Sequence, residues 1–264
     1  MNLGVLAFSL HYPGLERARR QVRYLTARPE SVLVLTGTGS RGCDLVADEF
    51  RAAGCDVVFP RPPAGGERGT MIVSRLATRP GPVSVSYLPH RVSSVTVDTT
   101  AGPVDIVAVQ VPSRDSTRKK TERKAEFLDA CRAAVPDGGD GLRIVMGDLK
   151  VLEPDHHPWY PDFRPFEYGF YRFFGQHSYV DAHRAMHPDT VVHSKVGRAG
   201  DGYRYDHAHI SARLAASLRA CEYDHQVRTG ADRLSDRSAL SLRLALHPVA
   251  PLPVPVTGPA AAVR

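Results

Sequence analysis

The chain has 264 residues, 42% of them apolar, which is enough for one sizeable core or at most two small ones. Lys and Arg number 34 against 28 Asp and Glu, and the net charge of +6 favours anionic partners such as nucleic acid, nucleotides or acidic membrane surfaces. No stretch of about 18 apolar residues occurs, which excludes a transmembrane helix.

Residues 1–8 carry neither a basic n-region nor a small-residue cleavage site, so no secretory signal is expected. Cys43, Cys55, Cys131 and Cys221 form no CxxC pair. At this size and spacing they read as reduced, partly buried thiols of a cytoplasmic protein, not as a disulfide framework.

Short β-branched runs alternate with helical stretches. LGVLAFSL (residues 3–10) reads as a buried strand. Residues 15–27, Arg-rich with apolar residues at helical spacing, read as an amphipathic helix. SVLVLTGTG (31–39) is a strand running into a Gly-containing loop, residues 45–53 are helical, and CDVVFP (55–60) and TMIVSR (70–75) are strands. Val and Ser alternate at period two over 83–97, which predicts a half-exposed strand pair. VDIVAVQVP (104–112) is the most apolar strand.

A helix is predicted over 117–135, opening on the basic run RKKTERK, and LRIVMGDLK (142–150) is a strand that empties into a polar loop. FRPFEYGFYRFF (163–174) predicts a helix packed by its aromatic face, with an exposed platform for nucleobase stacking as the second reading. YRYDHAHIS (203–211) alternates as a strand, and SALSLRLAL (238–246) closes the set. The remaining Pro/Ala-rich residues cannot build a core. The expected organisation is one domain over 1–246 and a disordered tail over 247–264. Strands outnumber helices and fall in two groups on either side of the helix near residues 120–134. Two sheets flanked by helices, an α/β (α+β) architecture, follow from that pattern.

Several strands end in polar clusters: Ser9 and His11; Gly37; Asp148 and Lys150; Asp206, His207 and His209; Asp236 and Arg237. Strand ends combine a rigid scaffold with an exposed loop, so layered folds build their sites there. An aspartate directly after an apolar strand, as in IVMGDL, either caps the next turn or coordinates a ligand.

Five segments carry a likeness to a known family. They are GTMIVSR (69–75), VAVQVPSRD with the basic helix ending in EFLDACRAAV, RIVMGDLKVLEPD, YVDAHRAMHPD with GYRYDHAHIS, and LSDRSALSLRL. In order and spacing they resemble the endonuclease/exonuclease/phosphatase superfamily, on its exonuclease III-like branch, up to about residue 246. The resemblance implies a two-layer β-sandwich flanked by helices, with the active site at one end. It also implies hydrolysis of a phosphodiester or phosphomonoester, assisted by Mg²⁺ or Mn²⁺, on a phosphate-bearing substrate that includes DNA or RNA.

The departures from the family pattern carry most information. Family members place an Asn where this chain has Ser9, and a metal-binding Glu where it offers Gly37 or Thr36. They place a Tyr where it has Gln110, an Asn where it has Lys150, and a His where it has Arg237. Asp148, Asp206 and Asp236 are retained. The resemblance therefore implies Asp148, Asp206 and Asp236 as catalytic groups, with Asp148 and Asp236 the remaining metal ligands. His207, His11 or His209 could replace the missing histidine. Lys150, Arg237, Ser9, His11 and Gln110 are the expected phosphate-binding residues.

Mg²⁺ takes hard oxygen ligands. Gly37 supplies none, and like charges about 5 Å apart repel by roughly 3 kcal/mol at an effective dielectric of 20, so Lys150 opposes a cation. Arginine stays protonated and cannot serve as a general base. Losing one acid–base group costs ~10²- to 10⁴-fold in rate. Yet lysine and arginine hold phosphate oxygens without a metal. Three outcomes stay open: a metal-free phosphate-binding cleft, a dead site healed by internal ion pairs, and a hydrolase with a histidine taking over.

His183 and His187 stand four apart, a spacing that can chelate zinc on a helix, but no HExxH pattern accompanies them and Pro188 follows. A structural pair is expected. The run RDSTRKKTERK (114–124) reads as a solvated helix start or as a phosphate-tracking edge, which Arg17, Arg19, Arg20 and Arg23 would extend.

Overall fold

A computed structural model describes residues 2–63 and 66–254. Its strands are β1 (Leu3–Ser9), β2 (Val32–Thr36), β3 (Asp56–Val58), β4 (Thr70–Ser74), β5 (Thr78–Pro80), β6 (Val92–Thr99) and β7 (Gly102–Gln110), followed by β8 (Leu142–Asp148), β9 (Tyr179–Asp181), β10 (Lys195–Val196), β11 (Gly202–Tyr203), β12 (Asp206–Ser211), β13 (Leu218–Asp224) and β14 (Ala239–Leu244). The helices are α1 (Leu15–Thr26), α2 (Arg41–Ala52), α3 (Arg118–Ala134), α4 (Pro165–Gln176), α5 (Ala182–Met186) and α6 (Gln226–Thr229). One six-stranded sheet has the order β13-β14-β1-β2-β4-β3, the other β5-β6-β7-β8-β12-β9, and β10 and β11 form a separate ribbon.

Period-two alternation builds the two layers. Along β8, Ile144 and Met146 join a core between the sheets with Val5 and Ala7 of β1, while Val145 faces the other way. That outer face is covered by Phe127, Leu128 and Cys131 of α3 and by Phe170, Phe173 and Phe174 of α4. The outer face of the first sheet is covered by Ala18 and Leu25 of α1 and by Val46, Ala47 and Phe50 of α2. The expected sandwich flanked by helices is the observed architecture.

Three sequence expectations are corrected. The strands do not divide at α3, because β5–β7 precede it and still join the second sheet, while β13 and β14 return to the first. Residues 83–87 form no strand; only Val92–Thr99 of the predicted pair does. The expected disordered tail begins too early. The Thr100 N–H donates to His247 O and the Ala77 N–H to Ala250 O, while Pro248 and Pro251 bridge to Thr99 and Leu76. Residues 255–264 of that tail lie outside the described residues. All four cysteines are buried and unpaired.

Strand direction positions the site. β1 and β2 run parallel, as do β7 and β8, so Ser9, Thr36, Gln110 and Asp148 all arrive at C-terminal strand ends on one side. β12 runs antiparallel to β8 with Asp206 opposite Asp148, which brings its first residue to the same end.

Candidate functional site

Gln110 joins the two layers at this end of the sandwich. Its Oε1 accepts from the Gly37 N–H at 2.7 Å, and its Nε2 donates to Asp148 Oδ2 at 2.8 Å. Arg237, only 5% exposed, lies between two carboxylates. Its Nη2 donates to Asp148 Oδ2 at 3.1 Å and its Nη1 to Asp206 Oδ2 at 3.3 Å. Lys150 Nζ lies 3.3 Å from the same Asp148 oxygen. Ser194 Oγ donates to Asp206 Oδ2 at 2.6 Å.

Towards the surface, Asp236 pairs with His11 Nδ1 at 3.0 Å and with Lys195 Nζ at 3.0 Å. The loop carrying Asp236 and Arg237 is tied to β1, since Ser235 Oγ donates to Ser9 O at 2.7 Å. Gln21 of α1, fully buried, donates its amide to both Leu10 O and Leu234 O.

Burial and the ion pairs set the protonation states. Burial alone would raise the Asp148 carboxyl, but Arg237, Lys150 and Gln110 outweigh it and hold the group below its ordinary value. Burial pushes Asp206 up to about 7, against the pull of Arg237, with the Asp148 charge adding to the rise. Burial takes Lys150 down to about 8, in spite of Asp148 and helped by Arg237. Asp236 resists the upward push of its burial because His11, Arg237 and Lys195 together hold it well below the carboxylate range. Lys150 and His11 both adopt left-handed backbone, at φ of 47° and 53°. Each such non-glycine residue costs about 1–3 kcal/mol and persists where surrounding contacts over-determine it. Lys124 Nζ donates to Lys150 O at 2.5 Å, and Arg17 donates to His11 O at 2.8 Å.

The expected site residues thus separate into two sets. Asp148, Asp206, Asp236, Lys150, Arg237, His11 and Gln110 converge in one connected network, and Ser9 stands beside them, 7% exposed. His207 does not join, and its assignment as a catalytic group is corrected. One residue after Asp206 on a strand, it points to the opposite face. There its Nε2 lies 3.1 Å from Val151 O and its ring packs edge-on to Tyr171. His209 follows it, stacked on Phe174 at 4.1 Å and taken down to about 3 by burial. His183 and His187 form the structural pair expected, on Cys221 O and Glu222.

Sequence reasoning missed Ser194, Lys195 and Tyr205. Tyr205 sits within the quoted YRYDHAHIS segment, and its ring lies 5.1 Å from the Arg237 guanidinium carbon. Ser194 and Lys195 stand in a stretch with no motif, and only the β10–β11 ribbon brings them in.

The residues at this end do not fit a divalent cation. Asp148 Oδ2 already faces Gln110, Arg237 and Lys150, and its Oδ1 is buried without a partner, which leaves a single unshared oxygen. A dication about 5 Å from either Arg237 or Lys150 would be repelled by roughly 7 kcal/mol from each at a dielectric of 20, which offsets the like-sized attraction of Asp148 and Asp206. Gly37 offers no carboxylate. Its φ is +69°, and a Cβ there would stand 2.8 Å from the His11 backbone nitrogen. Among the described residues, Asp181, His207 and His209 bring one ligand-type atom each within 4.8 Å of one another. Arg204 donates to Asp181 Oδ2 at 2.7 Å and Tyr171 at 2.9 Å, so that carboxylate is neutralised by a buried guanidinium.

No family model and no curated protein matches the sequence. Solved structures are similar. The chain shares 18% identity with an AP endonuclease from Archaeoglobus fulgidus, covering 92% of this chain and 99% of that one with a TM-score of 0.76. It shares 18% with the 3′ phosphatase NExo from Neisseria bound to a product DNA hairpin, over 92% and 99%, with a TM-score of 0.73. It shares 19% with the AP endonuclease LMAP from Leishmania major, over 94% and 88%, with a TM-score of 0.71. These likenesses show the fold. The chain has the two-sheet, helix-flanked fold of those structures, and it carries a cluster of paired cations and carboxylates at one end of the sandwich. Among the described residues, no helix is long and apolar enough to cross a membrane.

Proposed function

We propose that this chain binds phosphate-bearing ligands, with nucleic acid or nucleotides as the class, and does not run metal-assisted hydrolysis. The observation that carries the reading is the Arg237 guanidinium spanning Asp148 and Asp206. It occupies an oxygen of each of the two carboxylates that would have to serve a metal. The cavity beside it is lined by six cations and three carboxylates, and of those cations Lys150, Lys195 and Arg237 are paired with Asp148, Asp206 and Asp236 behind the wall. The nucleic-acid class is supported by the basic composition and by the DNA hairpin bound to the similar Neisseria phosphatase.

The test incubates the protein with abasic-site DNA, single-stranded RNA and a generic phosphodiester, with and without Mn²⁺, beside Asp148→Ala. The reading expects binding without turnover in every arm. Mn²⁺-dependent cleavage that disappears in Asp148→Ala refutes it.

One observation favours a second reading, metal-independent hydrolysis. His11, paired through Nδ1 with Asp236, is about one-third exposed in its side chain. An Asp–His pair can hold one ring nitrogen protonated and leave the other to accept a proton. This reading expects turnover that survives EDTA and falls ~10²-fold or more in His11→Ala.

A further inference from the structure

Three of the five lysines of the chain, Lys124, Lys150 and Lys195, line a cavity of about 770 Å³ at the site end of the sandwich. That size lies within the roughly 300–1,000 Å³ range of small-molecule sites. Two of the three are committed by hydrogen bonds. Lys124 Nζ donates to Lys150 O and to Glu167 Oε1, each at 2.5 Å, and Lys195 Nζ donates to Asp236 Oδ2 at 3.0 Å. Lys150 differs. It is 8% exposed, and its Nζ meets Asp148 Oδ2 at 3.3 Å as an ion pair without hydrogen-bond geometry.

The reason lies in the partner. Asp148 Oδ2 already accepts from Gln110 Nε2 at 2.8 Å and from Arg237 Nη2 at 3.1 Å. A carboxylate oxygen has two lone pairs, and both are taken. Lys150 is therefore a third, surplus donor beside that oxygen, with three N–H bonds and no acceptor of its own. Buried polar groups normally find partners, so this exception calls for an account. The chain is nonetheless fixed to place the amine there. The Lys150 backbone is left-handed at φ 47°, its N–H donates to Tyr205 O at 3.2 Å, and its carbonyl is held by Lys124. Desolvation and a neighbouring cation favour the uncharged, nucleophilic form of a lysine. Burial, helped by Arg237, acts that way on Lys150 against the pull of Asp148.

We infer that Lys150 captures a carbonyl compound in this cavity as a covalent imine, and that the compound is an aldehyde or ketone carrying an anionic group. The anionic group follows from the lining, where Arg164 is exposed and makes no ion pair among the described residues. The step balances without a co-reactant. The ammonium gives one proton to solvent in the open cavity, and Nζ attacks the carbonyl carbon with the electron pair so freed. The C–N bond forms, the C–O bond breaks, and the oxygen leaves as water with the two remaining amine protons. The inference goes beyond phosphate binding and does not depend on it.

Reductive trapping tests this. The protein is incubated with glyoxylate, an anionic aldehyde, or with propionaldehyde, a neutral one, in the presence of sodium cyanoborohydride. The reagent delivers hydride to the imine carbon and leaves a stable secondary amine, which peptide mass spectrometry assigns to one lysine. Lys119, exposed at the start of α3, is the internal reference for the intrinsic reactivity of each aldehyde. With glyoxylate, Lys150 should be labelled about tenfold faster than Lys119 or more, as an activated amine is against a solvated one. With propionaldehyde that ratio should fall several-fold. Lys150→Arg keeps the charge and should lose the label at position 150 alone, with the labelling of Lys119 and the melting temperature retained. Labelling of Lys150 no faster than that of Lys119 with both aldehydes overturns the inference and makes Lys150 a structural cation. Equal ratios with the two aldehydes overturn the anionic half and leave the imine. Neither aldehyde carries phosphate, so either failure leaves the phosphate reading standing.

Discussion

At Arg237 a buried cation, two carboxylates and a hydroxyl-bonded neighbour decide the local chemistry together. Removing one partner of a buried ion pair costs about 3–5 kcal/mol, because the others stay buried and uncompensated. Arg237→Met should therefore lose about that much stability in urea denaturation. Part of the loss should return at pH 5, where the uncompensated pair of buried carboxylates can take up a proton. Reversing the family departures should not be simple either. Gly37→Glu places a Cβ 2.8 Å from the His11 nitrogen at a φ of +69°, and left-handed backbone costs an L-residue roughly 1–2 kcal/mol. A Gly37→Glu variant should melt lower than the parent and gain no Mn²⁺ affinity; tight Mn²⁺ binding in a calorimeter would show that the site accommodates the missing ligand.

Asp206 sets the pH behaviour of the same cluster. Its carboxyl is raised from 3.8 to about 7, so between those values the folded protein holds a proton that the unfolded chain lacks. Stability should therefore fall as pH rises through that window. Glu153 acts oppositely: its carboxyl is held at about 2 by Arg184 and Arg204 against its burial, so its stabilisation is present above 4.5 and is lost as pH falls towards 2. Protonating Asp206 also removes a negative charge beside Arg237. Sulfate, which does not titrate here, should bind several-fold more tightly at pH 6 than at pH 8, and Asp206→Asn should reduce that dependence to the part left by Lys150, which burial takes down to about 8. An unchanged slope in the variant would assign the effect elsewhere.

Among the elements, β12 shows how one strand serves two unrelated polar sets. Asp206 faces the site, whereas His207 and His209 lie under α4 against Tyr171 and Phe174. His207→Ala should cost about 1–3 kcal/mol, through the lost bond to Val151 O and the void left behind, with phosphate binding unchanged. A selective loss of binding without loss of stability would return His207 to the site. The start of α3 divides similarly. Arg118, Lys119 and Lys120 are exposed, but Lys124 is buried, bonded to Glu167 Oε1 at 2.5 Å and to Lys150 O. The basic run is therefore part surface and part anchor, and its anchor fixes the residue that lines the cavity.

For the molecule as a whole, a net charge of +6 is spread over exposed cations of α1, such as Arg19, Arg20 and Arg23, and the start of α3. If these groups track a nucleic-acid backbone, each phosphate contact contributes about −0.7 to the slope of log affinity against log salt for single strands. Binding measured between 50 and 200 mM salt should then weaken by roughly tenfold or more, and a flat profile would confine the anion to the cavity. The tail contributes at this scale as well: residues 247–252 cross from the end of β6 to the segment after β4 and close the far side of the sandwich. Truncation at residue 246 should lower the melting temperature by several degrees, which a chain end without contacts would not do.

Composition and period-two spacing were sufficient to place most strands, the helices and the polar residues at strand ends, because those depend on neighbours within a few positions. The likeness of ordered motifs supplied the sandwich and nearly all of the cluster from Ser9 to Arg237. What the spacing could not supply was which face each polar residue takes and what lies opposite it. His207 and Asp206 are adjacent in sequence and part company on the strand; Arg237 and Asp148 are 89 positions apart and touch. Lys195 and Tyr203 reach the cavity through the returning β10–β11 ribbon. Ion pairing, burial and the resulting proton affinities depend on distances of a few ångströms between remote segments, and those distances exist only once the two sheets have packed.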